Sequence, residues 1–520
     1  MTADPPAPSE AAPPSHELLR ADGHLWPHQA RTFVCFPFEV PAGTGSLRIR
    51  FYFEPAKSGP YNNLLTLSLF DPHGFRGAGH RHAPAQEIVV GPAEATPGFL
   101  AGPVMAGRWL LEIDCHAVLD SPSQGVDYGL LVEGFDAPPA VPDPPGLPAA
   151  PARVLGPVRG VEGAPRWLKG DLHLHSQHSD GHWSMDELVR YVERSQLDFI
   201  AVTDHNTISA AADVIAALER AGLPAIAIPA MELTTFYGHA NALGIAEWVD
   251  WRVRGPAGQP ETIGESDGAR PTCAMAQVAQ AHPRRAPRPP PAPEPSRTMV
   301  QAAAEVHRRG GTFVVNHPRA TGYPRCTGCR WEFGDASAAY ADALEIWNGE
   351  WDRPQNREAL AIWDRWLSAG RRLPATAGTD AHGAPRRPEA MGYTHVWAAP
   401  DWRSILQAVR AGRSFLSRGP RLSWLETIWE ALPAGPGWLP AALDRLPVRA
   451  TGLQLPAELR LVHNGQTIAT HPLAGDGEHS FELPPAPLRP GWYRVELWHQ
   501  GTAELLALAN PLYAGGEAAR

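Results

Sequence analysis

The stretch Asp171-Leu-His173-Leu-His175-Ser-Gln-His178-Ser-Asp180-Gly181 decides how this chain is read. On a strand, residues two apart point the same way, so His173 and His175 can converge on one ion. A lone H-x-H is a weak signal, because each polar residue in it has a plain reading as a cap or loop residue. Four more strand-like segments change that balance. They are Ala201-Val-Thr-Asp204-His205-Asn206, Ala230-Met-Glu232 with His239 opening the next run, Val314-Val-Asn-His317-Pro318, and Ala377-Gly-Thr-Asp380-Ala-His382.

Amphipathic helical stretches lie between these runs. Phe199–Thr203 precedes a helix-like Ser209–Arg220, Phe313–Asn316 follows Met299–Arg309, and Ala343–Trp347 precedes Arg357–Leu367. Ser184-x-x-Glu187 has the form of a capping box ahead of the first helix. Alternating strands and helices predict an α/β domain, with a barrel as one form of it. Five strand ends carrying imidazole or carboxylate are where such a barrel assembles an active site.

Mixed imidazole and carboxylate donors suit Zn, Mn or Fe better than Ca or Mg. Three or four ligands hold one catalytic ion, so this set is too large for one ion and fits two or three.

In order, H-x-H-x4-D-G, T-D-H-N, a strand-end Glu followed by His, N-H-P and D-x-H resemble the PHP superfamily, the polymerase and histidinol phosphatase group of metal-dependent hydrolases. Leu344-Glu-Ile-Trp-Asn348-Gly, Ala375-Thr-Ala-Gly-Thr-Asp-Ala-His-Gly and Gly412-Arg-Ser-Phe-Leu-Ser-Arg-Gly-Pro420 are similar to its carbaryl-hydrolase-like (CehA/McbA type) branch. The resemblance covers roughly residues 166–420. It implies a distorted seven-stranded β/α (TIM-like) barrel and a centre of two or three divalent metal ions (Mn, Zn or Fe). The ligands it implies are His173, His175, Asp180, His205, Glu232, His239, His317, Asp380 and His382. His178 fits the spacing less well and is read as a bystander. Asp204 is open between orienting a ligand imidazole and capping a turn. Arg319 is open between holding an anionic substrate group and lying on the surface, and Asn348 is a candidate for the pocket wall. Trp347, Trp351, Trp363 and Trp366 read as core.

Outside that region the pattern changes to period two. In Leu65-Thr-Leu-Ser-Leu69 the leucines share one face and the hydroxyls the other. Leu47–Phe53 and Trp109–Ile113 are further strands, so residues 22–136 are expected to form a β-sandwich or jelly-roll-like domain. Residues 1–20 read as a disordered tail and 137–165 as a Pro-rich linker. Residues 251–297 read as a Pro-rich insertion within the barrel, its role open between a mobile loop and a lid. From 421 to 520, Leu459–His463, the turn Asn464-Gly465 and Trp492–Trp498 predict a small C-terminal β-domain.

The chain has 520 residues and a net charge of −10, which argues against nucleic acid as the main partner. Its five cysteines form no disulfide framework, and the C-x-x-C of Cys326 and Cys329 reads as a surface-loop pair. The N-terminus lacks a basic and apolar leader, and there is no long apolar run. A cytoplasmic protein acting on a small molecule, with no membrane partner, is expected; the oligomeric state is left open.

The function these features point to is a metal-dependent hydrolase, foremost a phosphoesterase attacking with a metal-bridging hydroxide, with the side-chain acid undefined. Hydrolysis of a carbamate, amide or aryl ester, as the carbaryl-hydrolase resemblance implies, is the second reading. An amidohydrolase-type barrel also begins with H-x-H, but Glu232 and Asp380-x-His382 fill the slots where it would place a carboxylated Lys and a lone Asp. A non-catalytic metal-binding module would show lost ligands, and this set is complete.

Overall fold

The computed structural model describes residues 15–119, 125–136, 163–256, 296–424, 437, 439, 445–453, 456–483, 489–502 and 504–515. They fall into two compact units. One holds the strands from Ser15 to Phe135, and the other holds everything described from residue 163 onward.

The first unit is a sandwich of two four-stranded antiparallel sheets. One runs Ser15–Leu25, Val126–Phe135, Ser46–Glu54, Ala85–Val90; the other runs Thr32–Val40, Gly107–Ala117, Leu64–Asp71, Gly74–Gly79. Alternation builds its core. Leu47, Ile49, Phe51 and Phe53 face Leu65, Leu67, Leu69, Trp109, Leu111 and Ile113 in one cluster. Thr66 and Ser68 take the opposite face, and both hydroxyls donate to the buried Asp114 carboxylate at 3.1 and 2.9 Å. The expected tail is corrected here. Residues 15–20 belong to the strand Ser15–Leu25, whose main chain pairs with Val126–Phe135 while Ala21 and Leu25 reach the core. Residues 1–14 lie outside the described residues, as do 137–162 of the expected linker and 257–295 of the expected insertion. The insertion's first residues are core, since Trp251 and Val253 are buried and Arg254 N donates to Arg297 O at 2.9 Å.

The second unit is mixed α/β, with five α-helices among the described residues, α1 (Met185–Arg194), α2 (Ala210–Arg220), α3 (Met299–Arg308), α4 (Pro354–Ser368) and α5 (Trp402–Arg410). The capping box at Ser184 forms, with Ser184 Oγ accepting from Glu187 N and the Glu187 carboxylate accepting from Ser184 N. Strand Arg166–Leu174 runs parallel to Phe199–Val202 and antiparallel to Tyr393–Ala398. A second sheet runs Ala230–Thr235, Gly238–Leu243, Thr312–Val315, Ala343–Asn348, Ala375–Gly378. Two bridges join the sheets, Leu174 to Ala381 and His205 to Glu232. Both occur beside the polar clusters. Between the sheets and helices, Leu168, Phe199, Ile226, Val314, Val396, Ile405 and Val409 form one core.

From residue 421 on, Arg421–Trp424, Arg445–Thr451 and Gly477–Glu482 form a separate three-stranded sheet, while other strands extend the sheet that holds Arg166–Leu174. Ser414–Ser417 pairs with Tyr393–Ala398 on one side and Glu504–Ala509 on the other, so the ladder continues through Gly491–His499, Ala457–His463 and Gln466–Leu473. Asn464 and Gly465 turn the last hairpin with φ of 48° and 81°. Asn510 ties the layers together, accepting from Ala375 N at 2.7 Å and donating to Ala375 O and Ser414 Oγ. Among the described residues, no helix is long and apolar enough to cross a membrane.

Candidate metal centre

The polar clusters leave their strands at one end and meet around Glu232, which is fully buried. Its Oε1 lies 3.4 Å from His173 Nε2, 3.3 Å from His239 Nδ1 and 3.4 Å from His317 Nε2. Its Oε2 lies 2.8 Å from His205 Nδ1 and 3.6 Å from His175 Nε2. Asp380 Oδ1 reaches His175 Nε2 at 3.1 Å and His173 Nε2 at 3.4 Å. Asp180 Oδ1 reaches His382 Nε2 at 3.2 Å and His205 Nε2 at 3.4 Å. All nine residues singled out in sequence therefore come together, in four overlapping groups. These are His173–Glu232–His317, His173–His175–Asp380, His205–Glu232–His239 and His175–Asp180–His205–His382.

The backbone is shaped around this cluster. Asn206, His317 and Asp380 sit at φ of 59°, 24° and 52°, a left-handed region that non-glycine residues rarely adopt, and one often found at functional sites.

The outward-facing atoms of four of the imidazoles are held by neighbours. His173 Nδ1 lies 3.0 Å from Glu345 Oε1, His317 Nδ1 lies 3.0 Å from Cys329 O, and His239 Nε2 lies 3.3 Å from Thr327 O. His382 Nδ1 lies 3.0 Å from Asp380 O. Each acceptor fixes the proton on the outer nitrogen and leaves the inner lone pair for a cation. His173 shows why a cation fits. Its Nε2 is buried without a hydrogen-bond partner and faces the Glu232 and Asp380 oxygens. A lone pair facing two carboxylates is repulsive unless positive charge sits among them. The donor set, imidazole nitrogen with carboxylate oxygen and no thiolate, suits divalent transition metals.

The electrostatics agree with this. Burial opposes the charged form of His173, yet Glu345, Asp380 and Glu232 overcome it and raise its pKa well above the ordinary value. Burial likewise opposes protonation of His382, but Asp180 and Asp380 push it up to about 10. Burial, then the neighbouring His205 and His382, lowers His175 to about 4, so it is neutral and ready to ligate. Burial also works against the Glu232 and Asp380 carboxylates, but the surrounding imidazoles hold both well below the usual range. The cluster is a field that binds positive charge.

The neighbours left open by the sequence now have places. His178 turns to Ser209 Oγ at 2.8 Å and Asp213 Oδ2 at 3.2 Å, on the side of α2. Asp204 accepts from Ser176 N, Ser176 Oγ and Ser179 Oγ, which shapes the loop between His175 and Asp180. Asn348 Nδ2 donates to Glu345 Oε2 and Asp380 Oδ2, each at 3.2 Å. Arg319 follows the site, its main chain bridged to Arg330. Cys326 and Cys329, read as a surface-loop pair, are joined in a disulfide. Their four-residue loop presents Thr327 O and Cys329 O to His239 and His317.

Sequence reasoning missed Glu345, Asn316 and Asp171. Asn316 Nδ2 donates to Glu232 Oε1 at 2.7 Å. Asp171, pushed up to about 6 by burial, accepts from Thr379 N, Thr379 Oγ1, His173 N and Tyr191 OH, linking the first cluster to the last. The available signal was a carboxylate inside an otherwise apolar strand, as in Leu344-Glu345-Ile-Trp.

Residues 171–247 match the PHP domain family. No curated protein matches the chain. Among solved structures, a two-domain protein from Bacteroides vulgatus containing a predicted PHP-like metal-dependent phosphoesterase is 16% identical, with a TM-score of 0.35 over 69% of this chain and 100% of that one. A protein from Bifidobacterium adolescentis assigned as a metal-dependent phosphoesterase is 18% identical, with a TM-score of 0.26 over 41% of this chain and 87% of its own. An amidohydrolase from Chromobacterium violaceum, with bound sulfate and no metal, is 18% identical, with a TM-score of 0.26 over 43% and 89%. Likenesses of this size carry no functional argument.

Proposed function

We propose that this protein is a metal-dependent hydrolase of phosphate mono- or diesters, acting at a centre of two or three divalent ions (Mn, Zn or Fe). The observation that carries the reading is Glu232, one carboxylate within 2.8–3.6 Å of five imidazole nitrogens. A carboxylate so placed would hold divalent ions together with the imidazoles around it. In this reading the nine clustered residues are the ligands, and the α/β unit is the distorted seven-stranded PHP barrel of the carbaryl-hydrolase-like branch. Ions held there would activate a water and neutralise charge on the phosphoryl oxygens. The chain's own part is to fix the ligands from outside, through Glu345, Asn316 and the carbonyls of Thr327 and Cys329, so that little reorganises during reaction. In this reading Asn348 and Arg319 are the candidates for holding the substrate. His382 is the most open of the ligand histidines, its side chain 36% exposed, and marks the approach.

The test is a screen of protein reconstituted separately with Mn, Zn or Fe, on nitrophenyl phosphates and naphthyl carbamates, with His173→Ala beside it. Metal-dependent turnover of phosphates that the substitution abolishes is expected. Turnover of carbamates alone would replace this reading with that of a carbamate or ester hydrolase. Activity that survives His173→Ala would dissolve the proposed centre.

A further inference from the structure

Arg353 sits immediately before α4, in the turn that follows strand Ala343–Asn348. Its Nη1 donates to Asn348 Oδ1 at 3.2 Å, and the amide of that same Asn348 donates to Asp380. The guanidinium is thus one amide side chain removed from a candidate metal ligand. It lies flat against the backbone of Gly349, where an added Cβ would come within 2.7 Å of its Cζ. Arg387, by contrast, is paired with Glu350 at 2.8 Å. Arg353 pairs with no carboxylate among the described residues and is only half-buried.

A guanidinium offers five N–H donors in a fixed fork, and one contact to an amide oxygen leaves most of them free. A guanidinium with free donors beside a carboxylate-rich centre is placed to take an anion, and the fork matches the paired oxygens of a phosphoryl group. We propose that Arg353 is the substrate-binding residue that selects an anionic phosphoryl group over a neutral carbonyl, taking its non-bridging oxygens while Asn348 holds the guanidinium in register with Asp380. This rests on the phosphoesterase reading and adds to it the charge of the substrate. No covalent step passes through Arg353.

The test uses full-length protein reconstituted with metal, comparing wild type with Arg353→Ala and Arg353→Lys at equal metal content. Inorganic phosphate is titrated into each by calorimetry, and 4-nitrophenyl phosphate kinetics are measured alongside. For Arg353→Ala we expect a tenfold or greater loss of phosphate affinity and a rise in KM larger than the fall in kcat. Arg353→Lys should recover part of both, since it keeps the charge without the fork. Equal phosphate affinity in wild type and Arg353→Ala would overturn the proposal, as would a fall in kcat with KM unchanged. Wild-type protein that binds phosphate through Arg353 but hydrolyses only neutral carbamates would overturn the phosphoesterase reading and, with it, the selection by charge, whereas phosphate hydrolysis unaffected by Arg353→Ala would overturn the role of Arg353 alone.

Discussion

Glu345 Oε1 lies 3.0 Å from His173 Nδ1, while Glu345 Oε2 accepts from the main chain of His317 at 3.0 Å. One buried carboxylate therefore sets the ring of one candidate ligand and the backbone of another. Glu345→Gln keeps the shape but removes the charge that holds the proton on Nδ1. Metal affinity is expected to fall about 10–100-fold, as for other partners behind a ligand imidazole. Competition with a fluorescent chelator measures it; unchanged affinity would mean that His173 is oriented by something else.

Glu232→Gln removes the central negative charge and leaves five imidazole nitrogens facing a neutral amide. At least about one ion per chain should be lost, because a bridge between two ions cannot be made by one amide oxygen. Elemental analysis of purified protein reads this directly, and full occupancy in the variant would place the bridge elsewhere.

The Gly328 backbone, at φ of 79°, passes so close to Thr235 that an added Cβ would lie 1.9 Å from its carbonyl oxygen and 3.0 Å from His239 Nε2. Gly328→Ala should push the loop outward and carry the Thr327 and Cys329 carbonyls away from His239 and His317. A stability loss of about 1–3 kcal/mol is expected from the overpacking and the backbone strain. It should come with weaker metal binding. Melting in chelator and metal titration separate the two effects, and a loss of stability alone would show that the carbonyls do not tune the ligands.

His395 is buried against Phe415, ring centroids 4.4 Å apart. Burial, with Lys169 and Arg421 nearby, lowers its pKa to about 3. Between pH 3 and the ordinary value near 6.5 the unfolded chain therefore binds more protons than the folded one. Stability should then rise with pH through that window and be lost as pH falls through it, by up to about 4–5 kcal/mol. Comparing denaturant midpoints of wild type and His395→Phe from pH 7 down to 4 checks the sign. The variant should show the flatter acid limb, and parallel curves would remove His395 as a cause.

Asn510 makes three buried hydrogen bonds to Ala375 and Ser414, so it joins the C-terminal strands to the strand that leads to Asp380. Asn510→Ala should cost about 2–4 kcal/mol by stranding the Ala375 amide and carbonyl. Urea unfolding measures it. A chain ending at 420 should lose solubility, because Ser414–Ser417 would present an unpaired edge.

The nine clustered residues were legible because their motifs recur in the order of the PHP superfamily, a resemblance that implies them as ligands, and because most lie near the ends of apolar runs. The sandwich face of Leu65, Leu67 and Leu69 and the hairpin at Asn464-Gly465 were legible as local periodicity and turn chemistry. Glu345 was not. A carboxylate in the middle of a strand gains its role only from what approaches it across the sheet, and His173 lies far away in sequence.

Sequence by itself determined which imidazoles and carboxylates are the candidate metal ligands and that strands and helices alternate around them, since side-chain type and period are properties of the chain. Tertiary structure alone decided that Glu232 stands at the centre, that Glu345 and two loop carbonyls brace the imidazoles, and that part of the C-terminal strands continues the α/β sheet. Those facts depend on which distant backbones pair and how closely they approach. Pairing across long separations is settled by the packing of the whole fold, not by any local run of residues.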